Sequence, residues 1–256
     1  MTKIVFFDVD GTLFDSQNKI PQSTKNSIAA LQQQGIKVAI ATGRSPFNVT
    51  AISEELEVDT VICYNGQYVM HEGEVIYRNP MPLGELKQLQ ALTDANNHAL
   101  VYAGSETLAF DEVNNLDVLD ALGSVNITYP KVIPNFTESN DIYQMLVFAD
   151  QRYDTSYNEA FANYKFVRWH EQSMDVIPAN GSKADGIQAL LEKLAIPLEN
   201  TYAFGDGMND YEMLQLVGHG IAMGNGKEPL KKVADYVTDH VDEDGIMKGL
   251  RHFKLI

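Results

Sequence analysis

The sequence predicts an α/β protein: a Rossmann-like core built on a parallel sheet, interrupted by an inserted α+β domain. Three observations predict it. Short apolar runs alternate with helical stretches at both ends of the chain, the rhythm of βαβ units whose strands run parallel. That rhythm stops at Asn79-Pro80-Met81-Pro82 and resumes after Pro178-Ala-Asn-Gly181. Between these breaks strand-like runs outnumber helical ones, which suits an α+β layer with a mostly antiparallel sheet. The expected division is residues 1–80 with 181–256 as the core and residues 81–180 as the insertion.

Lys3–Phe7 is the first strand-like run. Pro21 opens a helix that carries Ile28 and Leu31 at helical spacing, and Gly35 closes it. Lys37–Ala41 is the next strand, Phe47–Leu56 the next helix and Thr60–Tyr64 the strand after it. Beyond Asn65-Gly66, the runs Gln67–Met70 and Glu74–Tyr77 flank His71-Glu72-Gly73 and read as a β-hairpin. In the insertion, Leu83–Ala95 and Tyr153–Ala162 read as helices. Leu100–Ala103, Leu108–Phe110, Ile142–Phe148, Lys165–Trp169 and Met174–Ile177 read as strands. The last part alternates again: helix Lys183–Leu194, strand Thr201–Phe204, helix Tyr211–Leu216, strand His219–Met223, helix Lys227–Ala234. No internal repeat or low-complexity tract interrupts the pattern.

Composition narrows the function. Among 256 residues, 19 Lys and Arg face 35 Asp and Glu, a net charge of −16. A general nucleic-acid binder and a protein held to anionic membranes both need clustered cations, so both classes are excluded. An anionic substrate would have to be drawn in locally, by a metal or a few placed cations. The single cysteine, Cys63, excludes a disulfide framework and a multi-cysteine metal site. Set in Thr60-Val-Ile-Cys-Tyr64, it reads as a buried structural thiol. No signal peptide and no apolar run near the ~18 residues of a membrane span are evident, so the expected location is the cytoplasm. No obligate protein partner is inferred.

The chemistry lies at strand ends. In Phe7-Asp8-Val9-Asp10-Gly11-Thr12, an apolar strand runs directly into two carboxylates at i and i+2, on one side of an extended chain. The ligand crevice of an open α/β sheet lies outside the carboxyl ends of its strands. Paired carboxylates there repel each other unless a cation or a shared proton relieves them. Phe204-Gly205-Asp206-Gly207-Met208-Asn209-Asp210 repeats the arrangement at another strand end, and its oxygens suit a hard cation such as Mg²⁺. Asn209 or Asp210 also reads as an N-cap for the following helix. Ala41-Thr42-Gly43-Arg44 offers a hydroxyl and free N–H groups leading into a helix, the makings of an anion site. Lys183 sits at a helix mouth, where a cation is unfavourable to the helix dipole, a hint that it serves a ligand, with a solvated surface lysine as the ordinary reading.

Taken in order, these four features resemble the motifs of the haloacid dehalogenase superfamily of phosphohydrolases. Asp8-Val-Asp-Gly-Thr12 is similar to the first motif, Thr42 to the second, Lys183 to the third and Gly205-Asp-Gly-Met-Asn-Asp210 to the fourth. The large insertion preceded by Asn65-Gly66, and the tail from Ala222-Met-Gly-Asn225 to Glu243-Asp-Gly245, resemble its Cof-type subfamily, whose insertion is a cap of the C2 kind. Two departures stand out: Val9 where the family more often has Leu, and Ala184-Asp185-Gly186 where it usually places Gly directly after the Lys.

The resemblance implies a Mg²⁺-dependent phosphatase acting on small phosphorylated metabolites, such as sugar phosphates or phosphorylated cofactors. Asp8 is then the nucleophile that forms an aspartyl-phosphate, and Asp10 the general acid and base. Mg²⁺ is held by Asp8, by the Asp10 carbonyl and by Asp206. The backbone at Val9, Thr42, the Gly43 N–H, Lys183 and Asn209 hold the phosphoryl group, with Arg44 and Asp210 in support. A phosphomutase or phosphotransferase shares the same intermediate, and a non-enzymatic sensor using phospho-Asp8 or a bound metabolite is a third reading. The insertion reads as a lid. Arg168, His170 and Glu171 lie near one of its strand ends, where a solvated surface is the ordinary reading, and Trp169 reads as core. Asp242, Asp244 and Gly245 suggest a calcium loop, but His240 and Arg251 stand where its first and twelfth ligands belong.

Overall fold

Strands buried on both faces read as continuous apolar runs, and Ile4–Phe7 is such a strand, with every residue buried. The structure, a computed structural model, describes residues 2–110, 116–124, 129–179 and 181–256. From the start of the chain come β1 (Ile4–Phe7), α1 (Gln22–Gln33), β2 (Lys37–Ala41), α2 (Pro46–Glu55), β3 (Thr60–Cys63), β4 (Tyr68–His71) and β5 (Glu74–Arg78). There follow α3 (Leu83–Ala95), β6 (Ala99–Ala103), β7 (Leu108–Phe110), α4 (Leu116–Ser124), β8 (Lys131–Val132), α5 (Phe136–Ser139), β9 (Gln144–Phe148), α6 (Asp154–Ala160), β10 (Tyr164–His170) and β11 (Ser173–Pro178). The chain ends with α7 (Lys183–Leu194), β12 (Thr201–Gly205), α8 (Tyr211–Leu216), β13 (His219–Ala222), α9 (Glu228–Val233), β14 (Tyr236–Val237) and α10 (Gly245–His252).

Two compact units result. One comprises Met1–Arg44, Val49–Arg78 and Ser182–Ile256, the other Ser45–Asn48 and Asn79–Gly181. The first holds an eight-stranded sheet in the order β14-β13-β12-β1-β2-β3-β4-β5. Its strands from β14 to β3 are parallel, and β4 and β5 form an antiparallel hairpin at the edge. This is an α/β fold on a parallel-sheet core. The chain steps outward from β1 through β2 to β3, then restarts on the other side of β1 at β12. The strand order therefore reverses beside β1, and a crevice forms at the carboxyl ends of strands at such a point.

The second unit holds a six-stranded sheet in the order β10-β11-β9-β6-β7-β8, antiparallel except for the short parallel pair β7–β8. One face of it carries Leu100, Tyr102, Met145, Val147, Met174 and Val176 into an apolar core shared with Leu86, Leu89 and Tyr157. The strand-like runs read from the sequence fall on β6, β7, β9, β10 and β11. The short elements α4, β8 and α5 have no counterpart in that reading, and neither has α10. Asn180, within the second sequence break, lies outside the described residues.

Helix α7 begins at Lys183 despite the absence of a glycine after it. Ser182 is its N-cap, and the Asp185 carboxylate accepts hydrogen bonds from the Ser182 N–H at 2.7 Å and the Ser182 hydroxyl at 2.8 Å. The glycine comes one turn later. A Cβ on Gly186 would lie 2.6 Å from Ile62 Cγ2 and 3.0 Å from Gly66 Cα, so α7 packs directly on the turn that follows β3. Gly66 itself has φ +96°, and a Cβ there would lie 1.9 Å from the Ser182 carbonyl oxygen. Gly66→Ala therefore combines left-handed backbone strain with overpacking. It is expected to cost at least about 2 kcal/mol in urea denaturation; a loss below about 0.5 kcal/mol would contradict the close approach.

Candidate active site

Strand β1 delivers Asp8 to the crevice. The ladder continues one residue past the strand, with the Asp8 N–H donating to the Phe204 carbonyl at 3.0 Å. The chain then turns: Leu13 N–H bonds Asp8 O, while Thr12 and Phe14 N–H groups both bond Val9 O. Those bonds occupy the Val9 carbonyl. Gly11 has φ +83°, and a Cβ there would lie 2.4 Å from Asp206 Oδ2, so conformation and space both require glycine. The Thr12 hydroxyl donates to Asp206 Oδ1 at 3.0 Å, tying the turn after β1 to the loop after β12.

Asp8 and Lys183 are both buried. The Lys183 ammonium donates to Asp8 Oδ1 and, at 2.6 Å, to Asp210 Oδ1. Burial by itself would lower the lysine pKa; the charges of Asp210 and Asp8, with their hydrogen bonds, more than reverse this and raise it. Asp210 is also the anchor of the loop after β12, since its Oδ2 accepts the N–H groups of Asp206 and Gly207, each at 2.9 Å. Its carboxylate thus turns back on the loop before it, as well as standing at the start of α8. Burial and the neighbouring Asp210 push the Asp8 pKa well up, with Lys183 acting the other way. Burial, then Asp210, push Asp206 up to about 6, against the hydrogen bond from Thr12.

Carboxylate oxygens of Asp8, Asp206 and Asp210 lie within 4.8 Å of one another. This donor set of hard oxygens fits a divalent cation such as Mg²⁺. The raised pKa values share their causes: burial first, then the charge of Asp210, with Lys183 acting the other way. Asp210 is already committed to one ammonium and two N–H groups, which leaves Asp8 and Asp206 as the carboxylates with capacity to spare.

Asp10 is placed apart from that group. Arg44 grips its carboxylate with two bonds, Nε to Oδ2 at 2.9 Å and Nη2 to Oδ1 at 2.5 Å, and lies over the Phe14 ring. Arg44, read from the sequence as a supporting residue, therefore acts on Asp10. Thr42 is buried after β2, and its Oγ1 accepts the Arg44 N–H at 3.1 Å. Sequence reasoning passed over two residues here. Asn65, in left-handed conformation after β3, accepts the Asn209 amide at 3.0 Å, and a Cβ on Gly43 would lie 3.1 Å from its Nδ2. It thus joins the loops after β2, β3 and β12. Asn225 donates to Gly11 O at 2.7 Å and accepts the Val241 N–H at 3.0 Å, bracing the first turn. Both stand in segments that matched the Cof-type pattern, and Asn65 also follows a strand end, the signal that singled out Thr42.

The model of the haloacid dehalogenase-like hydrolases matches residues 5–250. The chain belongs to that family. YkrA of Bacillus subtilis (strain 168), provisionally named a phosphatase, is 43% identical over 255 residues, spanning 100% of this chain and 99% of its own. Among solved structures, a hypothetical protein of Geobacillus kaustophilus HTA426 superposes with a TM-score of 0.95 at 43% identity, covering 100% of both chains. The subclass IIB sugar phosphatase BT4131 gives a TM-score of 0.88 at 31% identity, again over 100% of both. Among the described residues no helix of this hydrolase is long and apolar enough to cross a membrane.

Elsewhere in the chain, Arg168 is a structural clamp: it pairs with Asp154 and donates to the carbonyls of Ala149, His170 and Glu171. His170 lies 3.9 Å from Asp120, Glu171 is exposed in a turn, and Trp169 is half-buried rather than core. Cys63 is buried, and burial pushes its thiol far up. Asp242 accepts the Ser16 N–H at 3.0 Å, a loop anchor.

Removing Lys183 leaves two buried carboxylates without a counter-ion. Lys183→Met is expected to cost about 3–5 kcal/mol at pH 8, by urea denaturation. A carboxyl with a raised folded pKa holds its proton more tightly folded than unfolded, so stability gained by protonating Asp8 grows as pH falls. The penalty should accordingly be smaller at pH 5 than at pH 8. An equal penalty at both would contradict the raised Asp8 pKa.

Proposed function

We propose that the protein is a Mg²⁺-dependent phosphatase that hydrolyses small phosphorylated metabolites through an aspartyl-phosphate on Asp8, in the cytoplasm. The observation that carries this reading is the buried Asp8 carboxylate, fixed through Oδ1 by Lys183 at the crevice of the parallel sheet, with Asp206 beside it. Phosphatase names among the relatives, including a sugar phosphatase, support the same class.

With Oδ1 tied to Lys183, Oδ2 is the oxygen that attacks phosphorus, and the bond from phosphorus to the ester oxygen breaks. Asp10 gives that departing oxygen its proton. Asp10 then takes a proton from a water that attacks the same phosphorus, releasing inorganic phosphate and restoring the Asp8 carboxylate. Both Asp10 oxygens are held by Arg44 in this structure, so the pair opens before Asp10 reaches a substrate. Thr42, the N–H groups of Val9 and Gly43, Lys183 and Asn209 hold the phosphoryl oxygens, with Asn65 positioning Asn209. Asp8, the Asp10 carbonyl and Asp206 would hold Mg²⁺, which when bound neutralises charge on the phosphoryl group. Residues 81–180 are proposed as the cap that selects the substrate.

The test is phosphate release from p-nitrophenyl phosphate and a panel of phosphate esters, with no added acceptor. Release should require Mg²⁺ and fall more than about 10³-fold in Asp8→Asn. No release from any ester would end the reading. A second expected outcome needs no turnover. Mg²⁺ should raise the Tm saturably, and Asp206→Asn should abolish the rise. Because protons compete for Asp206, the rise should shrink as pH drops below about 6. A rise independent of pH, or retained in Asp206→Asn, would place the cation elsewhere.

A further inference from the structure

Two short segments carry the groups proposed for the cation. One is the turn after β1, with Asp8 and the Asp10 carbonyl; the other is the loop after β12, with Asp206. A third segment, the turn after β13, is bonded to both. The ladder between β12 and β13 runs on past the strands, with the Met223 N–H donating to the Gly205 carbonyl at 2.9 Å. The chain then folds back tightly, the Gly226 N–H donating to Met223 O at 2.8 Å, and the Lys227 N–H donates to the Asp206 carbonyl at 3.0 Å. Residues 223–227 thus clasp the backbone at Gly205 and Asp206. The approach is close: a Cβ on Gly226 would lie 2.8 Å from Met223 O and 3.4 Å from Asp206 Cα. On its other flank the Gly224 N–H donates to the Asp239 carbonyl at 3.0 Å, so the clasp is backed by the chain between β14 and α10.

Asn225 stands in this turn, and both ends of its amide are used. The nitrogen reaches across to the Gly11 carbonyl, and Oδ1 takes the Val241 N–H from behind. Gly11 follows Asp10 directly, and Thr12 after it is tied to Asp206 through its hydroxyl. The turn after β1 is therefore pinned at two successive residues, one bond to Asp206 itself and one to the clasp around it. Asn225 is neutral and adds nothing to the charge of the site; what it fixes is spacing. Mg²⁺ demands near-octahedral oxygen ligands at about 2.0–2.1 Å, whereas Ca²⁺ accepts about 6–8 of them at about 2.3–2.6 Å in flexible geometry. Two ligand-bearing segments locked at one spacing discriminate between these ions, and two that can part do not. Groups that orient metal ligands from behind change metal affinity by about 10–100-fold when they are removed.

We propose that Asn225 is a positioning residue that locks the turn after β1 to the loop after β12 at the spacing a small divalent cation requires, and so makes the site prefer Mg²⁺ over Ca²⁺. This rests on the reading of Asp8, the Asp10 carbonyl and Asp206 as the ligands of the cation.

Thermal unfolding is followed over concentration series of MgCl₂ and of CaCl₂ at constant ionic strength, without substrate, in the wild type, Asn225→Ala and Asn225→Asp. The apparent Kd for each cation is read from the dependence of Tm on its concentration. The ratio of the Mg²⁺ Kd to the Ca²⁺ Kd is expected to rise about tenfold or more in both variants. Asn225→Asp keeps an acceptor for the Val241 N–H and loses the donor to the Gly11 carbonyl. Its added charge attracts both divalent cations alike, so the ratio reports the lost bond. A merely structural role would lower the Tm of the cation-free protein and leave the ratio where it was. The proposal is overturned by a ratio within about twofold of the wild-type value in either variant, however far the cation-free Tm falls. A wild type whose Tm answers to neither cation would overturn the Mg²⁺ site itself, before any variant is compared. Failure of the positioning role alone appears only in the variants.

Discussion

One buried ammonium holds the core unit's chemistry together. Lys183 bridges Asp8, at the end of β1, and Asp210, in the loop after β12, and it does so inside a chain of net charge −16. Much else is arranged to let it do so. Ser182 and Asp185 start α7 at the residue that must point inward. Gly66 and Gly186 let that helix reach the turn after β3. Asp210, once neutralised, can spend its other oxygen on two backbone N–H groups and thereby shape the loop that carries Asp206. Charge, helix start and loop conformation are therefore one construction.

That construction is deliberately incomplete in charge. One lysine faces three carboxylates within a few ångströms, and burial together with the neighbouring Asp210 charge raises the pKa values of Asp8 and Asp206. A fold selected for stability alone would place an apolar residue or a second cation there. Unrelieved repulsion at a strand end carries a stability cost, and the hard oxygens gathered there suit a divalent cation. Asp10 contrasts with it: half-exposed, and clasped by Arg44.

Strand ends were the legible part of the sequence. A short apolar run ending in Asp8, Thr42 or Asp206 carries both its secondary structure and its position in one line of text, because the sheet dictates where carboxyl ends lie. The alternation of strands and helices was legible for the same reason, and so was the hairpin around His71-Glu72-Gly73. Lys183 was barely visible: nothing in the segment Gly181-Ser-Lys-Ala-Asp-Gly186 tells a buried ammonium from a solvated one, since its two partners lie 175 and 27 residues away. The Arg44–Asp10 pair and the links made by Asn65 and Asn225 are likewise products of three-dimensional proximity. Helix α10 escaped because glycines at its first and fifth positions mask its periodicity. Short pieces such as β8 and α5 are held by their neighbours and carry too little pattern of their own.

The sheet is threaded from both ends of the chain, with β1 lying between β2 and a strand that begins at Thr201. On the ribosome, β1 emerges with one of its two edges uncovered, and that edge waits for the strand at Thr201–Gly205 before it is paired. During this interval the first unit exposes an apolar strand edge to other nascent chains. The intervening stretch has a sheet and an apolar core of its own to build meanwhile. Asp206 and Asp210 arrive only with the loop after that late strand, so a chain halted before it carries Asp8 without the two carboxylates that gather beside it.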